Sequence, residues 1–144
     1  MYLNKKTYIG ANYEHNKITG TIDLAQDGKP FDIKLNRVSE ISERVCYWRK
    51  ANHIHLWFVK NVQDEEDNCA EYYVSENDLE KLIKTCEQVL SDHSLAQELL
   101  PTQDGFFFGG TDYDEYYYKN LEETVKNLKP LLEEGSTFYY NSSW

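Results

Sequence analysis

Cysteine, proline and long apolar runs are scarce in this 144-residue chain, and each scarcity removes a class of protein. Three cysteines, Cys46, Cys69 and Cys86, stand far apart with no CxxC pair, so they outline neither a disulfide framework nor a zinc site. Three prolines, Pro30, Pro101 and Pro130, are too dispersed for a linker or a low-complexity segment. No apolar run approaches the roughly 18 residues of a membrane span, and the N-terminal MYLNKKTYIG has no secretory apolar stretch. The expectation is a cytoplasmic, reducing setting without membrane contact.

Positive charge is also thin in the second part of the chain. Residues 61–144 hold 5 Lys and Arg against 19 Asp and Glu (net −14), whereas residues 1–60 hold 10 against 6 (net +4), for a total of −10. Such an excess repels nucleic acid and anionic membranes, so direct nucleic-acid binding is disfavoured. A basic partner protein, met by an acidic face that mimics nucleic acid, fits the charge map better. What the chain has in abundance is aromatic residues, 15% of the total, with 12 Tyr, 6 Phe and 3 Trp. With 40% hydrophobic and 28% charged residues the composition is globular, and the length suits one domain with a core of its own.

Patterning predicts a single α+β domain: a small, mostly antiparallel sheet with an N-terminal β-hairpin, and three to four packed helices. Residues 2–9 read as a first strand. Residues 18–24 and 31–35 alternate on either side of the turn signal Gln26-Asp27-Gly28-Lys29 and read as the hairpin. Over residues 39–59, Ile41, Val45, Trp48, Leu56 and Val59 fall on one side at 100° per residue, which predicts a helix. A strand over 69–74 precedes Ser75 and Asp78, spaced as a capping box, and then the amphipathic stripe Leu79, Leu82, Ile83, Cys86, Val89, Leu90. A short helix over 94–100 stops at Pro101. Asp112 with Glu115 caps a last helix that frays at Pro130, and residues 136–140 read as a closing strand.

The chemistry-bearing part is Tyr47-Trp48-Arg49-Lys50-Ala51-Asn52-His53-Ile54-His55-Leu56-Trp57-Phe58. On the predicted helix Asn52 and His55 lie inside the apolar stripe, and an unpaired buried amide or imidazole costs a few kcal/mol. They are therefore paired, either in an internal network with a group such as a sheet Tyr hydroxyl, or by a ligand whose pocket they floor. Arg49, Lys50, His53 and Trp57 share the neighbouring face, where cation beside indole suits an anionic or planar ligand or simply covers the ring. The loop Gly105-Phe106-Phe107-Phe108-Gly109-Gly110 lacks the Lys-Ser/Thr of a phosphate loop, and Asp112, Asp114 and Glu115 at the next helix start repel phosphate. GxSxG, HExxH and GxGxxG are missing, so no catalytic residue, metal or cofactor is assigned. Cys46 lies close in sequence to Arg49 and Lys50, which lower a thiol pKa, but a structural cysteine is the plainer reading.

The segments Tyr47 to Asn52, Ile54-His55, Trp57-Phe58, Tyr72-Tyr73-Val74-Ser75, Leu99-Leu100-Pro101-Thr102, Gly105 to Gly109 and Thr111-Asp112-Tyr113-Asp114-Glu115 give most of residues 45–118 a specific likeness. The chain resembles a family of small uncharacterised proteins carried by tailed phages and prophages. That resemblance implies a phage or prophage setting in the host bacterial cytoplasm. It also implies that the Asn52/His55 face and the Phe/Asp loop belong to the family pattern, with Gly110 where the family has Ser. It carries over no catalytic residue.

The resulting expectation is a non-enzymatic accessory protein that binds a small polar ligand or peptide between the 39–59 helix and the 101–115 loop. Its binding residues are Trp48, Arg49, Asn52, His55, Trp57, Phe107, Asp112 and Asp114. The alternatives are the acidic module that engages a basic host protein, and a metal- or acid/base-dependent hydrolase built on His55, Asp112 and Asp114.

Overall fold

The first strand of the chain is central in its sheet. The computed structural model describes residues 1–9, 25–30, 33, 37–105 and 109–143. In chain order it contains β1 (Tyr2–Tyr8), β2 (Ala25–Gln26), β3 (Lys29–Pro30), β4 (Glu40–Tyr47), α1 (Asn52–Asn61), β5 (Tyr72–Val74) and α2 (Glu76–Ser91). The 3₁₀ turn His93–Leu95, α3 (Ala96–Leu99), α4 (Glu115–Leu128), the 3₁₀ segment Lys129–Glu133 and β6 (Thr137–Asn141) follow. The main sheet has the order β4-β1-β6-β5 with every pair antiparallel, so the fold is a small single α+β domain.

Alternation along the strands sends one set of side chains into the core. Leu3, Cys46, Val74, Phe138 and Tyr140 are buried against Phe58 of α1, Leu79, Leu82 and Cys86 of α2, and Tyr117, Leu121 and Leu128 of α4. Each fully buried Leu or Phe contributes roughly 1.5–3 kcal/mol relative to exposure. The opposite face carries Lys6 over the Tyr139 ring and Arg44 over Tyr2, with Lys6 also paired to Glu40 and Glu71. No described helix is long and apolar enough to cross a membrane.

The turn signal at 26–29 forms as read: β2 and β3 pair around Asp27 and Gly28, whose φ values of 52° and 73° are those of a type I′ hairpin turn. Of the two runs expected to flank it, 18–24 lies outside the described residues, and so does 31–35 apart from Ile33. The capping box is present. The Ser75 side chain accepts from the Asp78 amide at 3.2 Å, and the Asp78 carboxylate accepts from the Ser75 amide at 3.1 Å.

Two expectations need correction. Residues 40–47 are a strand, and the helix spans only Asn52–Asn61. The cause is a β-bulge: Leu3 pairs with Cys46 but Asn4 with Arg44, so Val45 is an extra residue in β4. One inserted residue changes the period of two into the four-then-three spacing Ile41, Val45, Trp48, which counterfeits a helix. The cap of α4 is Asp114, whose side chain accepts from the Tyr117 amide at 2.9 Å, and not Asp112. Thr102 holds the preceding segment outside the helix by donating its hydroxyl to the Thr111 carbonyl at 2.8 Å.

Candidate functional site

Helix α1 starts without a side-chain cap, its N-cap Ala51 following Lys50 in the left-handed region (φ 57°), and seven of its ten residues are buried. A helix enclosed nearly all round must find partners for every polar group it carries. Asn52, His53 and His55 solve this differently.

Asn52 is an inter-element clasp. Its amide donates to the Gly110 carbonyl at 2.9 Å, and its oxygen accepts from the Gln103 backbone N–H at 3.1 Å. The start of α1 thereby holds Gln103 and Gly110 together. The loop comes so close that a Cβ on Gly109, itself at φ 85°, would stand 3.1 Å from the Lys50 Cβ and 3.2 Å from the Lys50 carbonyl oxygen. Only glycine suits that position without strain. Tyr116 adds a second tie, its hydroxyl donating to the Arg49 carbonyl at 2.8 Å.

His55 belongs to an internal network. Its Nδ1 lies 2.7 Å from the hydroxyl of Tyr140 on β6, and its Nε2 lies 3.1 Å from Asp67. A carboxylate only accepts, which assigns the proton to Nε2 and makes Nδ1 the acceptor of the Tyr140 O–H. Burial pushes the His55 pKa down, and the Asp67 hydrogen bond and charge partly offset that shift. Burial likewise raises Tyr140 far above the usual phenol value, so both groups are neutral at pH 7.

His53 is the exception. It is 3% exposed, its Nε2 is shielded from solvent, and no hydrogen bond reaches that atom. Burial alone takes its pKa down to about 3. The ring packs against Tyr117 with centroids 4.3 Å apart. This imidazole lines two concavities. The smaller, about 40 Å³, lies among Lys50, Asn52, Asp112, Asp114 and Asn120. The larger, about 140 Å³, is walled by Leu56, Trp57, Leu99, Leu100 and Pro101, with Lys60, Asn61 and Glu98 also lining it. A few waters fit the first and a small organic ring the second.

The predicted site residues divide accordingly. Asn52, Asp112 and Asp114 line the small concavity, and Trp57 lines the large one. Trp48 is 4% exposed, and its indole N–H donates to Thr124 of α4 at 2.8 Å, so it is a core residue. Arg49 precedes α1 and is exposed, and Phe107 lies outside the described residues. His55 lines neither concavity and has both nitrogens engaged, so the structure does not unite it with Asp112 and Asp114 as a hydrolase would require. No group of three or more metal-ligating side chains forms among the described residues. Cys46 is buried, with its thiol pushed up to about 11 despite Asn127 Nδ2 at 3.8 Å, the state of a structural cysteine.

Sequence reasoning underrated His53, Lys60 and Glu98. The signal for the first two was the spacing His53, Trp57, Lys60, a single stripe once the helix begins at Asn52. No family model, curated protein or solved structure matches the chain.

Proposed function

We propose that the protein is a non-enzymatic binding module that takes a small polar molecule in the two-lobed cleft between α1 and residues 98–102 and 110–120. One observation carries this reading: His53, a neutral imidazole with an unpaired, solvent-shielded Nε2, lines both lobes. Leaving such an atom unpaired costs about 1–3 kcal/mol, which a ligand that supplies the missing partner recovers. The clasp of Asn52 on Gln103 and Gly110 supports the same reading, because it fixes the loop side of the cleft before anything binds. The phage or prophage setting is proposed on the motif likeness alone.

The test is a thermal-shift screen of the wild type and His53→Phe against nucleotides, cyclic dinucleotides, amino acids and divalent cations. A ligand at a hundred times its Kd adds about 2.7 kcal/mol of stability, several degrees for a chain of this size. The reading expects at least one probe to raise the wild-type Tm and to lose that effect in His53→Phe. Identical responses of the two proteins to every probe would refute it.

The acidic-module reading draws on a different feature, the net −14 of residues 61–144. It expects capture by a basic protein to weaken steeply as salt is raised, and flat salt dependence refutes it.

A further inference from the structure

We infer that the larger lobe beside His53 is built for a free, zwitterionic α-amino acid whose planar side chain ends in a hydroxyl. The inference rests on the cleft reading above and names its ligand class. Three features of the lobe specify the three parts of such a molecule.

The first is the chamber. Its volume of about 140 Å³ and its walls of Leu56, Trp57, Leu99, Leu100 and Pro101 match the space that holds one six-membered aromatic ring, as in an apolar cavity of about 150 Å³ that takes benzene. The indole offers such a ring an edge or a face. The second is the imidazole in its lining. His53 Nε2 is the only buried side-chain nitrogen among the described residues without a hydrogen-bond partner. A ligand hydroxyl satisfies it in either tautomer, since O–H both donates and accepts. With its pKa near 3 the imidazole is uncharged, so a neutral hydroxyl pairs with it and leaves no charge to balance.

The third is the mouth. Lys60 and Glu98 are exposed, line the same chamber and form no ion pair with each other or with any other residue described. A cation and an anion left free beside one opening complement a carboxylate and an ammonium on one ligand carbon. A nucleotide or other polyanion would find only one cation there, in a molecule of net charge −10.

Titration calorimetry with L-tyrosine as the probe tests this, because three analogues each delete one contact. Tyramine lacks the carboxylate, 3-(4-hydroxyphenyl)propionate lacks the ammonium, and L-phenylalanine lacks the hydroxyl. L-tyrosine is expected to bind at least about tenfold more tightly than each, the scale of one charge-assisted or one buried hydrogen bond. Lys60→Gln is expected to erase the preference over tyramine, Glu98→Gln that over the propionate, and His53→Phe that over phenylalanine. The two exposed substitutions keep the assay decisive should His53→Phe fold poorly. If p-cresol binds as tightly as L-tyrosine and is lost in His53→Phe, the amino-acid class is overturned while the cleft stands. If L-tyrosine and its analogues do not bind, the class is again overturned, and the wider screen decides the cleft separately.

Discussion

Acidification provides a sharp test of His53. In the folded protein its pKa is about 3, against 6.5 for a free imidazole, and the cause is burial alone. The unfolded chain therefore binds a proton that the folded chain refuses once the pH drops below about 6.5. The contribution of His53 to stability is complete above that pH and is lost as the pH falls from 6.5 towards 3. At about 1.4 kcal/mol per pH unit, the loss between pH 7 and pH 5 comes to about 2 kcal/mol. His55 shifts in the same direction and adds to the effect, so the comparison must isolate His53. Urea unfolding of the wild type and His53→Phe at pH 7, 6 and 5 does so. The wild type is expected to lose about 2 kcal/mol more than the variant over this range, with unchanged m values. Parallel pH profiles would mean that His53 is protonated in the fold or open to water, and the account of the cleft would fall with it.

Three further outcomes follow from the contacts. Tyr140→Phe leaves the His55 Nδ1 acceptor buried without its 2.7 Å donor and should cost about 1–3 kcal/mol in urea unfolding. Gly109→Ala meets the Lys50 backbone from a left-handed residue and should destabilise by about 1 kcal/mol or more. It should also speed proteolysis next to Gly109, where a wild-type cleavage rate would refute the close approach. Ser75→Ala removes one half of the α2 capping box and should lower stability by about 1 kcal/mol without altering binding in the cleft.

Where local chemistry decides an element, the sequence was enough to read it. Ser75 and Asp78 marked the start of α2, the apolar stripe behind them carried it through to Ser91, and Gln26-Asp27-Gly28-Lys29 marked the turn between β2 and β3. Where a neighbouring strand decides, the sequence misled. The extra residue at Val45 is defined only by its pairing with β1, and no single-segment pattern distinguishes it from a helical turn. The error travelled into the site. Burial of Asn52 and His55 was legible, because polar residues embedded in an apolar run have nowhere else to go, and the Tyr hydroxyl foreseen as a partner is that of Tyr140. Which of the two histidines lines the cleft depends on the first residue of α1, and a start at Asn52 turns His55 to the sheet and His53 to α3 and α4. Lys60 and Glu98 come together only in three dimensions.

The place of β1 between β4 and β6 governs how the chain must be made. Residues 2–8 are synthesised well before residues 137–141, yet half of their hydrogen-bonding edge waits for that later strand, and Phe138 and Tyr140 arrive with it. Until then the nascent protein exposes an open strand edge and an unfilled interior, the combination that invites mispairing and holdase capture. Biosynthesis, not dilution from denaturant, is therefore the demanding route to this fold, and a stop codon just ahead of Thr137 would leave a polypeptide for quality control to clear.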